Sequence, residues 1–304
     1  MSVISMKQLL HHAQNNRYAV GYFESWNMDS LLAVADAAAR TRSPVIIGFG
    51  GLFLGNPERR IEENIRHYGA LARAVAEESP VPMAILLNEA DKMPMLIRAL
   101  GCGFNTVMYQ DPAVSFEQTL KANQYLVPIA HAFGADVEAE VGELPCADIS
   151  SGNVSKGQRT DPEQAIRFVQ QTGIDALAIA VGNVHLLEGG TASLDYDLIE
   201  KIHRSIDIPL VLHGGTGLSR DSLKHAIELG MCKINVGTAL KRIYLNSLHD
   251  YLKVNPINEM NIHEILGIGG EHDILCAARE EVACKIAEMM ESFGCAGRAG
   301  ELVR

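Results

Sequence analysis

Leu210-Val211-Leu212-His213-Gly214-Gly215-Thr216-Gly217 is an apolar run that stops at a histidine and then at a loop of small residues. Shortly after it, Lys233-Ile234-Asn235-Val236-Gly237-Thr238 ends another apolar run in the same way. A second histidine, His185, follows the run 176–181, and carboxylates stand at Glu89, Glu138 and Glu140 in or just after two further runs. Taken singly, each histidine reads as a polar group bonding a loop carbonyl. Two imidazoles joined by a carboxylate from Glu89 or Glu140 instead make a donor set that suits zinc, and also manganese, iron or cobalt. Gly214, Gly215 and Gly217 permit close backbone approach. Thr216 adds a hydroxyl, and Thr238 opens the next helical pattern, where free N–H groups and the helix dipole attract an anion. The chemistry expected is a phosphorylated small molecule held beside a divalent metal.

These residues need a scaffold that brings distant runs to one place. Eight β-like runs are marked, at 18–23, 45–49, 83–87, 105–108, 137–141, 176–181, 210–213 and 233–236. Helical patterns at 30–40, 58–78, 92–100, 115–133, 161–172, 196–205, 220–229 and 239–254 alternate with them. Strict alternation with eight strands predicts an α/β fold, a (β/α)8 TIM barrel. A doubly wound open sheet is the alternative, weakened because no Gly-x-Gly-x-x-Gly follows the first strand. In such a barrel, catalytic groups sit at strand C-terminal ends, and the loops after strands seven and eight cradle phosphate. The glycine run at 48–51 lacks the Lys-Ser/Thr of a P-loop and reads as a turn. A further helical pattern at 274–293, with Gly294 as its stop, lies beyond the eighth unit and caps the barrel or reaches a neighbour. Asp29 or Ser30 is expected to cap the first long helix, and 297–304 is expected to fray.

Length and composition bound the remaining possibilities. The 304 residues, 47% hydrophobic, suffice for one large domain spanning 1–304. A net charge of −11 argues against a nucleic-acid partner, whose phosphates need a basic surface. The six cysteines show no CxxC spacing and read as reduced thiols of a cytoplasmic protein. No apolar run is long enough to span a bilayer, so no membrane association is expected. Trp26, the single tryptophan, stands at a strand end and reads equally as a substrate-stacking or a packing residue.

The chain resembles the class II, metal-dependent ketose-bisphosphate aldolases (fructose- and tagatose-bisphosphate aldolases), nearly end to end. Val137-Glu138-Ala139-Glu140-Val141-Gly142, Thr160-Asp161-Pro162-Glu163-Gln164-Ala165, Ala178-Ile179-Ala180-Val181-Gly182 with His185, the His213 loop and the 233–238 run all carry the resemblance. It implies an aldolase-type lyase that cleaves a phosphorylated ketose reversibly through a metal-stabilised enediolate. Zn2+ is the implied cofactor, or another divalent metal such as Mn2+ or Co2+. The resemblance places two of three metal histidines on His185 and His213, and the glutamate that meets a mobile metal on Glu138 or Glu140. Phosphate contacts fall on Gly182, Gly214, Thr216, Asn235 and Thr238. A homodimer or homotetramer is expected by the same analogy.

The departures lie at the first and third strands. The family's His-Leu-Asp-His-Gly is Leu86-Leu87-Asn88-Glu89-Ala90 here, so Asn88 stands for the catalytic Asp and Glu89 for the first metal His. Glu89 keeps three protein ligands available, but Asn88 cannot take a proton as a carboxylate does. Glu24 is the leading replacement, because an acid stands at the first strand where the family carries an amide. Asp91, Asp111 and Glu143 are weaker candidates. The alternatives are a metal-dependent sugar-phosphate epimerase or isomerase, and a non-catalytic accessory subunit of an aldolase.

Overall fold

A computed structural model describes residues 2–145, 157–184, 192–255 and 260–302. Eight parallel strands, β1 (Val20–Phe23), β2 (Val45–Gly50), β3 (Met83–Ala90), β4 (Thr106–Tyr109), β5 (Asp136–Val141), β6 (Ala176–Ile179), β7 (Leu210–Leu212) and β8 (Met231–Val236), pair in sequence order. The pairing closes through β1 and β8, with Tyr22 beside Asn235. The predicted (β/α)8 barrel is therefore the fold. Side chains alternate across each strand. On β5, Val137, Ala139 and Val141 pack outward under helices, so Glu138 and Glu140 point into the barrel.

Helix Met6–Asn16 was not expected from the sequence pattern. It buries Met6, Leu9, Leu10 and Ala13 on one face and starts at a Ser5 cap. It closes the N-terminal end of the barrel: the Lys7 N–H donates to Asp136 at the start of β5, and Lys7 Nζ meets Asp175 at 3.0 Å just before β6. That leaves the C-terminal strand ends as the open face.

Helix Ile274–Phe293 lies where the pattern put it, ended by Gly294 in the left-handed region. It packs on helices Met28–Thr41 and Thr238–Val254. The Phe293 ring stacks parallel to Phe23 with centroids 6.2 Å apart, and the Phe293 carbonyl accepts the Ala19 N–H. Much of its apolar face is thus buried within this chain.

Four local expectations are corrected. Asn27, not Asp29 or Ser30, caps helix Met28–Thr41, because its side chain takes the Ser30 N–H in a reciprocal capping box. The helix expected over 58–78 covers only Ile65–Glu78, begun at Asn64; a helical period can run through residues that an Asx cap excludes. The run at 48–51 is no turn: Gly48–Gly50 belong to β2, and Gly51 opens helix Gly51–Leu54. Residues 297–302 of the tail do not fray, since Gly297 and Ala299 donate to Thr41 and Arg42 carbonyls and Ala299–Leu302 is helical, while 303–304 lie outside the described residues. No described helix is long and apolar enough to cross a membrane. The five described cysteines are free thiols, while Cys146 lies outside the described residues.

Candidate active site

β5, β7, β8 and β3 converge on one buried charge cluster. Lys233 Nζ, fully enclosed, lies 2.8 and 2.9 Å from the Glu138 oxygens and donates to Asn235 Oδ1 at 2.7 Å. His213 Nε2 meets Glu138 Oε1 at 3.1 Å. Its other nitrogen, Nδ1, is 3.0 Å from Glu89 and 3.1 Å from Glu140. Asn183 fixes the loop behind the imidazole by donating to the His213 carbonyl and accepting from the Val181 N–H.

Burial and pairing compete at each charge. Burial alone would push Glu138 up, but Lys233 and His213 outweigh it and hold its carboxyl below the usual range. Glu140 is pushed up to about 7, chiefly by burial and further by Glu89 and Glu138, against the pull of His213. Burial would lower His213, yet hydrogen bonding to Glu138 and Glu89, with the charge of Glu140, raises it to about 10.

Glu89 reaches the cluster through an unusual backbone. β3 slips register between Leu87 and Ala90, and Glu89 sits at φ 49°. A bulge re-aims a side chain at the cost of local ladder pairing, and a non-glycine residue in the left-handed region stores about 1 kcal/mol or more. The slip also carries β3 beyond the expected 83–87 to Ala90.

The mouth of the barrel beside this cluster holds a cavity of about 80 Å³. Among the residues lining it are Glu24, Asn88, Glu89, Gly214, Thr216, Asn235 and Thr238. Seven sequence-predicted site residues therefore share one space. Helix Thr238–Val254 begins at Gly237 with no side-chain cap, and Gly237, Thr238 and Lys241 line the cavity, so the positive end of the helix lies at its wall, where an anion cradle could form. Lys241, in its first turn, meets Glu24 at 2.6 Å and lies over the Phe53 ring at 3.9 Å. Burial raises Glu24, and Lys241 opposes that rise.

Gly214 owes its identity to the fold. It sits at φ 67°, and a Cβ there would stand 2.5 Å from the Val184 carbonyl oxygen. Gly182 is likewise pressed on the Ser193 carbonyl and is not among the residues lining this cavity. His185 lies outside the described residues, as do Asp148 and Lys156 of the loop after β5. Arg159 pairs with Asp195. Asp111 and Glu143 line a neighbouring cavity of about 590 Å³, which shares Phe53 and Glu89 with the first. Asp91 faces a separate outer cleft. Trp26 packs edge-on against Tyr244 at 5.5 Å, which accounts for its half-buried position.

Three residues escaped the sequence reading: Tyr22, Lys233 and Lys241. Strand alternation back from Glu24 and Asn235 points to the first two, and one helical turn past Thr238 reaches the third.

Among the described residues, no group of three or more His, Cys, Asp or Glu side chains is placed to hold a metal ion. The donor chemistry at His213 nevertheless fits a divalent cation. One imidazole nitrogen faces two carboxylates, and Glu138 anchors the far ring nitrogen, the outer-shell partner that metal-bound imidazoles require.

A parallel barrel with acids, an imidazole and an anion cradle at its strand ends is the layout of a TIM-barrel enzyme. The profile of the class-II fructose-bisphosphate aldolases matches residues 4–298, and the chain belongs to that family. It is 28% identical to the YdjI aldolase of Escherichia coli K12, over 98% of this chain and 99% of that one, with a TM-score of 0.78. The fold is shared with a Coccidioides immitis protein (24% identity, 96% and 97% coverage, TM-score 0.80). It is also shared with the fructose-bisphosphate aldolase of Campylobacter jejuni (21% identity, 97% and 96% coverage, TM-score 0.74).

Proposed function

We propose that this protein is a divalent-metal-dependent aldolase-type lyase acting on a phosphorylated ketose, with the proton-transfer part of its site rebuilt. The observation that carries the reading is the meeting of His213, Glu89 and Glu140 beside an uncapped helix start. Those three side chains would hold the cation, with His185 as a further ligand. A cation bound there supplies Lewis-acid polarisation of the ketose carbonyl.

The chain's own groups do the rest. The helix start at Thr238, with Thr216 and Lys241, takes the phosphate. Phe53 and Glu89 border both cavities, and this reading puts the phosphate end beside Thr238 in the smaller one and the departing aldehyde in the larger. Cleavage requires a base for the hydroxyl proton next to the breaking carbon–carbon bond. Asn88 cannot serve as that base. Glu24 shares its cavity, and burial raises its carboxyl above the ordinary range, the direction a proton-exchanging acid needs.

Elemental analysis of wild type and Glu89→Ala tests the reading, coupled with assay on a panel of ketose phosphates. Metal and cleavage in the wild type, both lost in a folded Glu89→Ala, are expected. Proton exchange without aldehyde release would move the protein to the epimerase class. A wild type that takes up no zinc, manganese or cobalt would overturn the proposal.

A further inference from the structure

Three buried polar atoms at the barrel mouth have no hydrogen-bond partner among the described residues: Tyr22 Oη, Asn88 Oδ1 and Asn235 Nδ2. All three residues are more than nine-tenths buried, and all three line the same 80 Å³ cavity. An unpartnered buried polar group costs roughly 1–3 kcal/mol. Three of them around one cavity are retained for something that enters it.

Their polarity describes the visitor. Lys233 occupies Asn235 Oδ1 at 2.7 Å, so the amide presents its NH2 to the cavity as a donor. Asn88 Oδ1 is an acceptor and calls for a donor. The Tyr22 phenol is held firmly protonated, by burial first and then by the charges of Glu24, Glu89 and Glu138. It therefore offers a proton to bond without surrendering it. A phosphate dianion only accepts, and cannot satisfy Asn88 Oδ1. A hydroxyketone satisfies all three: its hydroxyl donates to Asn88, and its oxygens accept from Tyr22 and Asn235.

We propose that Tyr22 is a substrate-contacting residue whose hydroxyl donates to an oxygen of the hydroxyketone segment, between the anion cradle and Glu89. This rests on the reading that the substrate is a phosphorylated ketose. β1 pairs directly with β8, which sets Tyr22 beside Asn235 and its ring 4.9 Å under the Lys233 ammonium. The ring is thereby fixed by packing, and the hydroxyl is left for the ligand.

The test is Tyr22→Phe, which removes only the hydroxyl and keeps the ring over Lys233. Calorimetric titration of the metal-loaded protein would use two probes, dihydroxyacetone phosphate and inorganic phosphate. Tyr22→Phe should bind dihydroxyacetone phosphate about 10-fold more weakly, the net worth of one hydrogen bond. Its affinity for inorganic phosphate should not change. Its Tm without ligand should equal or exceed that of wild type, since no protein bond is lost; a purely structural hydroxyl would lower it. If wild type binds dihydroxyacetone phosphate and Tyr22→Phe binds it equally well, the assignment of Tyr22 is wrong and the proposed function stands. A lowered Tm with weakened binding of both probes would also overturn the assignment. A wild type that binds inorganic phosphate but not dihydroxyacetone phosphate would remove both.

Discussion

Inside the barrel, Lys233, Glu138 and His213 are sealed from water and bonded to one another; at its mouth, Tyr22, Asn88 and Asn235 are almost as deeply buried, yet each keeps one polar atom open. Both regions carry a desolvation cost. Below, the protein offsets it with its own partners. Above, the offset is left to a ligand. Buried polarity alone therefore does not mark a site, nor does a single unmatched atom such as Thr106 Oγ1 or Asn123 Oδ1; what distinguishes the mouth is three unmatched atoms lining one cavity. Asn235 joins the two regions, since one end of its amide closes the lower cluster and the other faces the cavity.

Three substitutions test this contrast. The largest effect is expected at the mouth. Glu24→Gln should lower kcat by about 10² to 10⁴ if Glu24 moves the proton, with metal content unchanged by elemental analysis. An unaltered kcat would pass the role to another acid, Asp111 or Glu143 first. Next comes the sealed cluster. Lys233→Met strands Glu138 in the barrel, and urea denaturation should show a loss of about 3–5 kcal/mol. The double variant Lys233→Met/Glu138→Leu should recover part of that loss, because a removed pair costs less than a broken one. Additive losses would contradict the pairing. The smallest effect concerns strain. Glu89→Gly relieves the left-handed backbone but forfeits the bond to His213, terms of similar size, so apo stability should shift by less than about 1 kcal/mol, while metal is lost. A Glu89→Gly destabilised by more than that would mean that the carboxylate contacts, not the ligand role, hold the bulge.

The barrel, the order of its strands and most of the cavity lining are legible along the chain. The alternation of apolar runs and helical patterns is a local signal repeated along the chain, and it needs only one closure to become a barrel. His213, Glu89, Glu140, Thr216 and Thr238 follow from their places at strand ends or helix starts. Tertiary structure decided the rest, because it depends on register across strands far apart in sequence. The slip in β3 turns Glu89 toward His213. The β1–β8 pairing sets Tyr22 beside Asn235 and under Lys233. Lys233 was legible only as part of a strand, since a lysine on an inward face reads as an error until its buried glutamate partner is known. Helix Met6–Asn16 was missed because its short apolar stripe acquires meaning only once there is an open barrel end for it to close.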